Sequence, residues 1–267
     1  MTSARGRTHL NLLCPEPISM LGSLAIVIRG ILQFPRTPRI DAVTQHLKID
    51  FISDVACPWC IIGLKGLEQA LAKAADVVEA EITFQPFELN RGMPPAGQNL
   101  VEHIGEKYGS TPEQSASSRE MIRSRGAEVG FPFNMSEGSR IYNTFDAHRL
   151  LHWAGITGHQ RELKHALFTA YFTDGANVSD QGVLVDAAVA AGLDGDEARE
   201  VLASGRYAEE VRDAEQEWIS RGIRSVPAIV INGRWLISGG QPPEAFEQAL
   251  RGIAAELGQV PAGVSPS

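Results

Sequence analysis

The chain has 267 residues, 43% of them apolar and 21% charged, with a net charge of -8. That is the make-up of an ordinary soluble globular protein with room for one large domain or two small ones, and its acidity argues against nucleic acid as a partner. Three cysteines exclude a disulfide framework.

Arg5 and Arg7 precede an apolar stretch, Ile18 to Ile28, in the manner of a signal peptide. Pro15-Glu16-Pro17 interrupts the approach, Arg29 follows it, and no A-x-A cleavage site appears. The stretch is also too short to span a bilayer, so no membrane partner is expected. Residues 1–46 are expected to be a poorly ordered extension, and Cys14 within it is given no role.

The ordered fold is expected to start near Leu47. Lys48 to Ser53 alternates polar and apolar residues and predicts a strand. Ile61 to Val78 carries Ile61, Leu64, Leu67, Leu71 and Ala74 at helical spacing. Glu81 to Phe87 predicts a second strand, with Pro86 near its end. A strand–helix–strand unit of this kind gives a parallel pair with a right-handed crossover.

From about Asn99 to Arg221 no strand is expected. Asn99 to Tyr108, Pro112 to Val129, Tyr142 to Ala154, Glu162 to Thr173, Asp180 to Ala191, Asp194 to Ser204 and Ala208 to Arg221 all read as helices. Breaks rich in Gly, Pro or Asn separate them, and Asp180 and Asp194 stand where N-caps belong. Two β-rich runs then flank Asn232-Gly233, the strongest short signal for a hairpin. Pro243 to Leu257 closes with an amphipathic helix that uses Phe246, Leu250, Ile253 and Leu257.

The order is βαβ, helical block, β-hairpin, helix. That is an α/β thioredoxin fold with an inserted all-helical domain. Residues 47–97 and 222–258 would make the frame, 98–221 the insertion and 259–267 a tail.

The chemistry centres on Cys57-Pro58-Trp59-Cys60, between the first strand and the first helix. A C-x-x-C beside a βα pattern reads as a thioredoxin-like redox motif. A thiolate at Cys57 would face the unpaired N–H groups and positive end of the helix, which favour the charged form. Pro58 suits a first helical position because no N–H is needed there. Cys60, one turn on, is placed to attack a mixed disulfide at Cys57. Zinc would need a second pair of ligands, and the sequence offers none suitably spaced, so no metal is expected. A bridge between these two would close too short a loop to be merely structural.

Val226-Pro227 opens the first strand of the hairpin. A proline is tolerated at a strand start. In a thioredoxin-type frame a cis bond here turns the backbone of Val226 toward the C-x-x-C, free to pair with an extended substrate.

Ser53-Asp54-x-x-Cys57-Pro58-Trp59-Cys60-x-x-Gly63 and Val226-Pro227-x-x-Val230-Ile231-Asn232 together resemble the DsbA family of thioredoxin-like oxidoreductases, in its FrnE-like branch. Asn143-Thr144-x-x-Ala147-His148-Arg149-Leu150-Leu151, Tyr171-Phe172-x-x-Gly175-x-x-Val178-x-Asp180 and Ser238-Gly239-Gly240-Gln241 extend the likeness over about Leu47 to Leu257. The resemblance implies a thiol–disulfide oxidoreductase or dithiol–disulfide isomerase. Cys57 would be the attacking thiol, Cys60 the resolving one and Pro227 the cis-proline. Substrate would meet Pro58, Trp59, Val226 and Pro227. Asp54 and His148 are further candidates there: Asp54 could cap the helix or tune Cys57, and His148 could carry a proton or simply bond a neighbouring loop. Asn143 and Arg149 could bridge the two domains. Arg224-Ser225, where relatives often carry a glycine, departs from the pattern.

The expected partner is a protein or small molecule carrying a disulfide or dithiol. No tightly bound cofactor is expected, with glutathione as a redox partner. Sparse cysteine usage fits a reducing compartment, so a cytoplasmic location is expected. Kappa-class glutathione transferases and hydroxychromene-carboxylate isomerases share the outline. They use serine where Cys57 stands and bind glutathione, so the two cysteines here favour dithiol exchange; a glutathione-dependent isomerase is the alternative, and a chaperone-like binding module a third.

Overall fold

The computed structural model describes residues 44–259. The rest of the expected extension, with Cys14, and the tail beyond 259 lie outside the described residues.

Strand β1 (Gln45–Ser53) runs parallel to β2 (Val78–Pro86), in register from Gln45 opposite Val78 to Ser53 opposite Pro86. β1 begins before Leu47, because Gln45 and His46 continue the ladder at its polar end. Its Leu47, Ile49 and Phe51 are buried on one face, and Ile52 packs on the other. Helix α1 (Pro58–Lys73) connects the two strands. It stops short of the expected Val78. The N–H groups of Val77 and Val78 both turn back to the Ala74 carbonyl, and Val78 becomes the first residue of β2.

The second half of the frame is the hairpin β5 (Ala228–Ile231) and β6 (Trp235–Ser238). Asn232 and Gly233 turn it with positive φ of 49° and 66°, the left-handed region these two residue types tolerate. β5 pairs antiparallel with β1, so the sheet order is β2-β1-β5-β6 and β1 is central. Helix α9 (Pro243–Gln259) buries Phe246, Leu250, Ile253 and Ala254 in the core that α1 and the sheet share.

Between the halves lie α2 (Leu100–Tyr108), α3 (Pro112–Glu128), α4 (Phe145–Ile156), α5 (Gln160–Phe168), α6 (Gln181–Ala190), α7 (Gly195–Ser204) and α8 (Ala208–Ser220). Asn99, Thr111, Asp180 and Asp194 cap α2, α3, α6 and α7 through their side chains. Two expectations need correction. A two-residue ribbon, β3 (Gln98–Asn99) against β4 (Arg140–Ile141), sits in the block expected to hold no strand. The helix expected to run on to Thr173 changes to a π-helical turn at Thr169–Thr173. A second apolar cluster, built on Leu150, Trp153, Leu163, Leu167, Leu184 and Val201, is the core of this block.

Phe168 and Phe172 leave that block and join the frame's core beside Cys57 and Cys60. Glu68 of α1 reinforces the junction by accepting from Arg161 Nε (2.8 Å) and His165 Nε2 (2.7 Å) of α5. Burial raises its carboxyl, but the hydrogen bonds and charges of His165 and Arg161 prevail and hold it down at about 2. The stability from this lowered carboxyl is complete above about 4.5, its ordinary value, and is lost as pH falls toward about 2. Because Arg161 is exposed, Glu68→Gln should cost about 1–2 kcal/mol at pH 7. Urea unfolding from pH 7 down to pH 3 should find the two proteins converging at the acid end. A gap independent of pH would mean that the charge is not what stabilises the junction.

Candidate active site at the start of the first helix

Cys57 is the N-cap of α1 and Pro58 its first residue. With β1 ending at Ser53, the four residues 54–57 carry the chain over the end of the sheet. The Cys57 N–H bonds the Asp54 carbonyl at 3.2 Å, and the Cys60 N–H bonds the Cys57 carbonyl at 3.0 Å. Both cysteines are free and lie 3.4 Å apart, unbonded. Cys57 keeps 4% of its surface exposed and Cys60 none. The Cys57 thiol donates to the Val226 carbonyl at 3.7 Å, and the Val226–Pro227 peptide is cis. The motif and the start of β5 thus meet over the C-terminal end of β1, although they are far apart in sequence. Trp59 and Pro58 are half-buried at the rim, and so is Val226.

Three glycines permit this meeting. A Cβ on Gly63 would stand 3.1 Å from Gly240 Cα and 3.2 Å from Pro227 Cγ. One on Gly66 would stand 2.9 Å from the Gln241 carbonyl, and one on Gly240 2.7 Å from that of Trp59. The segment after β6 therefore lies directly on the backbone of α1, holding the first turn of the helix beneath Pro227.

Asp54 and His148, expected among the substrate-facing residues, are placed behind the motif with 1% and 3% of their surface exposed. Asp54 does not cap α1. Its carboxylate accepts from the Ala56 N–H (3.2 Å) and, after β2, the Leu89 N–H (2.7 Å). His148 of α4 brings its Nε2 to 3.6 Å from Asp54 Oδ1. Burial pushes the Asp54 carboxyl up, and His148, the Leu89 N–H and Thr144 outweigh it, so it sits below its ordinary value. This pair ties the helical block to the loop carrying the motif. Of the two residues expected to bridge, Asn143 does so, donating to the Arg91 carbonyl at 3.3 Å. Arg149 instead stays within the helical block, donating to the carbonyls of Arg206 and Leu202. Ser225 is exposed, outside the thiol pair.

The electrostatics separate the two thiols. Burial pushes the Cys60 thiol well up, and its hydrogen bond to Cys57 and the charge of Cys57 add to that; Lys164 of α5 acts in the opposite direction. Lys164 is buried, and so is Glu215 of α8, which accepts from the Glu88 N–H at 2.8 Å and pairs with Arg91 and Arg212. Sequence reasoning missed Lys164. The available signal was its spacing: it stands four residues before Phe168, on an otherwise apolar helix face.

Residues 48–251 match the DSBA-like thioredoxin domain. The chain belongs to that family. It is 29% identical over 209 residues to the uncharacterized protein YwbO of Bacillus subtilis, covering 78% of this chain and 96% of that one. The crystal structure of a "probable DsbA oxidoreductase" from Streptomyces coelicolor superposes with a TM-score of 0.77 at 34% identity, covering 83% of this chain and 95% of the other. A 2-hydroxychromene-2-carboxylate isomerase, at 14% identity and a TM-score of 0.58 over 79% of this chain and 98% of that one, shares the fold alone. Among the described residues no helix is long and apolar enough to cross a membrane.

Proposed function

We propose that this DsbA-family protein is a thiol–disulfide oxidoreductase of the FrnE-like branch. The carrying observation is the pair of free thiols 3.4 Å apart at the start of α1, one of them against the Val226 carbonyl. The thiolate of Cys57 attacks a substrate disulfide and forms a mixed disulfide. Cys60 then attacks Cys57 Sγ, closing the Cys57–Cys60 bond and releasing the second substrate sulfur as a thiol. Run backwards, the same pair oxidises a dithiol.

The substrate backbone lies along Val226 and Pro227, with Pro58 and Trp59 at the rim. Burial of Cys57 favours an extended peptide or a small molecule over a rigid protein surface. Glutathione serves as a redox partner, and a cytoplasmic location is part of the proposal, supported by the sparse cysteines.

The test is the reduction potential of the pair, by equilibration with glutathione buffers. A value of about -120 to -180 mV makes the protein an oxidant or isomerase, and one near about -270 mV a reductase. A pair that never closes overturns the reading, leaving glutathione-dependent isomerisation as the alternative.

A further inference from the structure

Lys164 projects from α5 into the core with none of its surface exposed. Its Nζ has no hydrogen-bond partner among the described residues. The ammonium lies 4.9 Å from the centroid of the Phe168 ring and 5.9 Å from that of Phe84, and both rings belong to the core cluster that contains Cys57 and Cys60. An unpaired charge in an interior is destabilising, and a methionine would fill the same space without it. Two aromatic faces offset only part of that cost.

The charges that act on Lys164 identify its partner. Those that favour its ammonium are Cys60 and Cys57, at the start of α1 in the same apolar cluster as Phe84 and Phe168, and Asp54, just after β1. On its own helix, Arg161 and His165 turn away to Glu68. Tyr171, in the π-helical turn, is influenced by Asp54, and His148 of α4 and Lys107 of α2 also interact with that carboxylate. Asp54 is thus shared among His148, the Leu89 N–H and the Ala56 N–H. The negative charge that comes and goes opposite Lys164 is a thiolate of the dithiol, which forms by loss of a thiol proton and exists only while the pair is open.

We propose that Lys164 is the internal counter-ion of the reduced dithiol, an ammonium that stabilises the Cys60 thiolate during resolution and surrenders its proton when the pair closes. This rests on the redox reading of Cys57 and Cys60. Starting from the mixed disulfide, the Cys60 thiol loses its proton and its thiolate attacks Cys57 Sγ. The Cys57–Cys60 bond forms, the bond from Cys57 to the substrate sulfur breaks, and the electron pair leaves on that sulfur, which takes the proton. Substrate gains two electrons and the protein loses two. Lys164 then faces two neutral sulfurs, and its ammonium releases a proton to water.

Burial lowers Lys164 to about 8, while the charges of Cys60, Asp54 and Cys57 oppose the fall. Closing the disulfide removes two of those three supports, so the lysine becomes more acidic. It acts through Cys60 and is a positioning residue.

The experiment follows the Lys164 Nζ resonance of the wild-type protein, labelled with ¹⁵N-lysine, through a pH titration in the dithiol and disulfide forms. The signal missing from Lys164→Met assigns it. The midpoint should fall by at least one pH unit on oxidation. Lys164→Met should move the equilibrium with glutathione about tenfold toward the disulfide, about 30 mV more negative. Identical midpoints in both redox states would overturn this inference and leave the redox reading intact. A Cys57–Cys60 pair that never closes would overturn both.

Discussion

Cys57→Ser should abolish disulfide exchange, whereas Cys60→Ser should give a protein that reacts once and stops. The two thiols are chemically alike but differently placed. Cys57 stands at the N-cap, against the Val226 carbonyl, with a sliver of its surface open. Cys60 is wholly covered, and burial pushes its thiol well up, so it cannot receive an external disulfide first. It can reach Cys57, 3.4 Å away, once that sulfur is engaged. Mass spectrometry after incubation with oxidised glutathione, in a Cys14→Ser background, should find one adduct per chain on Cys60→Ser and none on Cys57→Ser. An adduct on Cys60 of the Cys57→Ser protein would reverse the assigned order of attack.

Gly240→Ala should damage both stability and exchange. The added Cβ would stand 2.7 Å from the Trp59 carbonyl and 3.3 Å from the Gly63 nitrogen. Both are backbone atoms in the first turns of α1, so no side chain can rotate to make room. Overpacking of this kind costs about 1–3 kcal/mol. For a chain of this size that lowers Tm by roughly 2–4 °C per kcal/mol. Relief requires the segment after β6 to lift away from α1, which separates Pro227 from the dithiol. Exchange should therefore slow by about tenfold or more, since an ångström of misplacement costs up to about 100-fold. Gly258→Ala is the control: its Cβ would meet nothing within 4 Å, and alanine is the better helix former. Equal effects from both substitutions would show that close approach to α1 is not the cause.

The frame was legible because its signals are local. Lys48 to Ser53 alternates, Asn232-Gly233 demands positive φ, and the spacing of Phe246, Leu250 and Ile253 fits one helix face. The motif was legible for the same reason, since four adjacent residues carry it. What escaped depends on neighbours remote in sequence. β3 and β4 are two residues each, too short for any periodicity, and exist because Gln98 and Ile141 meet. α1 read as longer than it is because Ala74 and Val78 extend its apolar spacing, yet Val78 belongs to the sheet. Asp54 read as either a helix cap or a group that tunes Cys57, and only the Leu89 N–H and His148 reveal what it holds. Lys164 sits on an apolar helix face with Leu167 and Phe168, but only Phe84, from another element, shows that the face is covered.

The central place of β1 in the sheet also sets the order in which a nascent chain can assemble. β2 follows α1 closely, so their parallel pair can form early. The antiparallel ladder to β5 must wait until Ile231 has been synthesised, after the whole helical block. Contacts of such long sequence separation close late. Both thiols are therefore made well before the Val226 carbonyl that Cys57 faces, and they pass through biosynthesis uncovered.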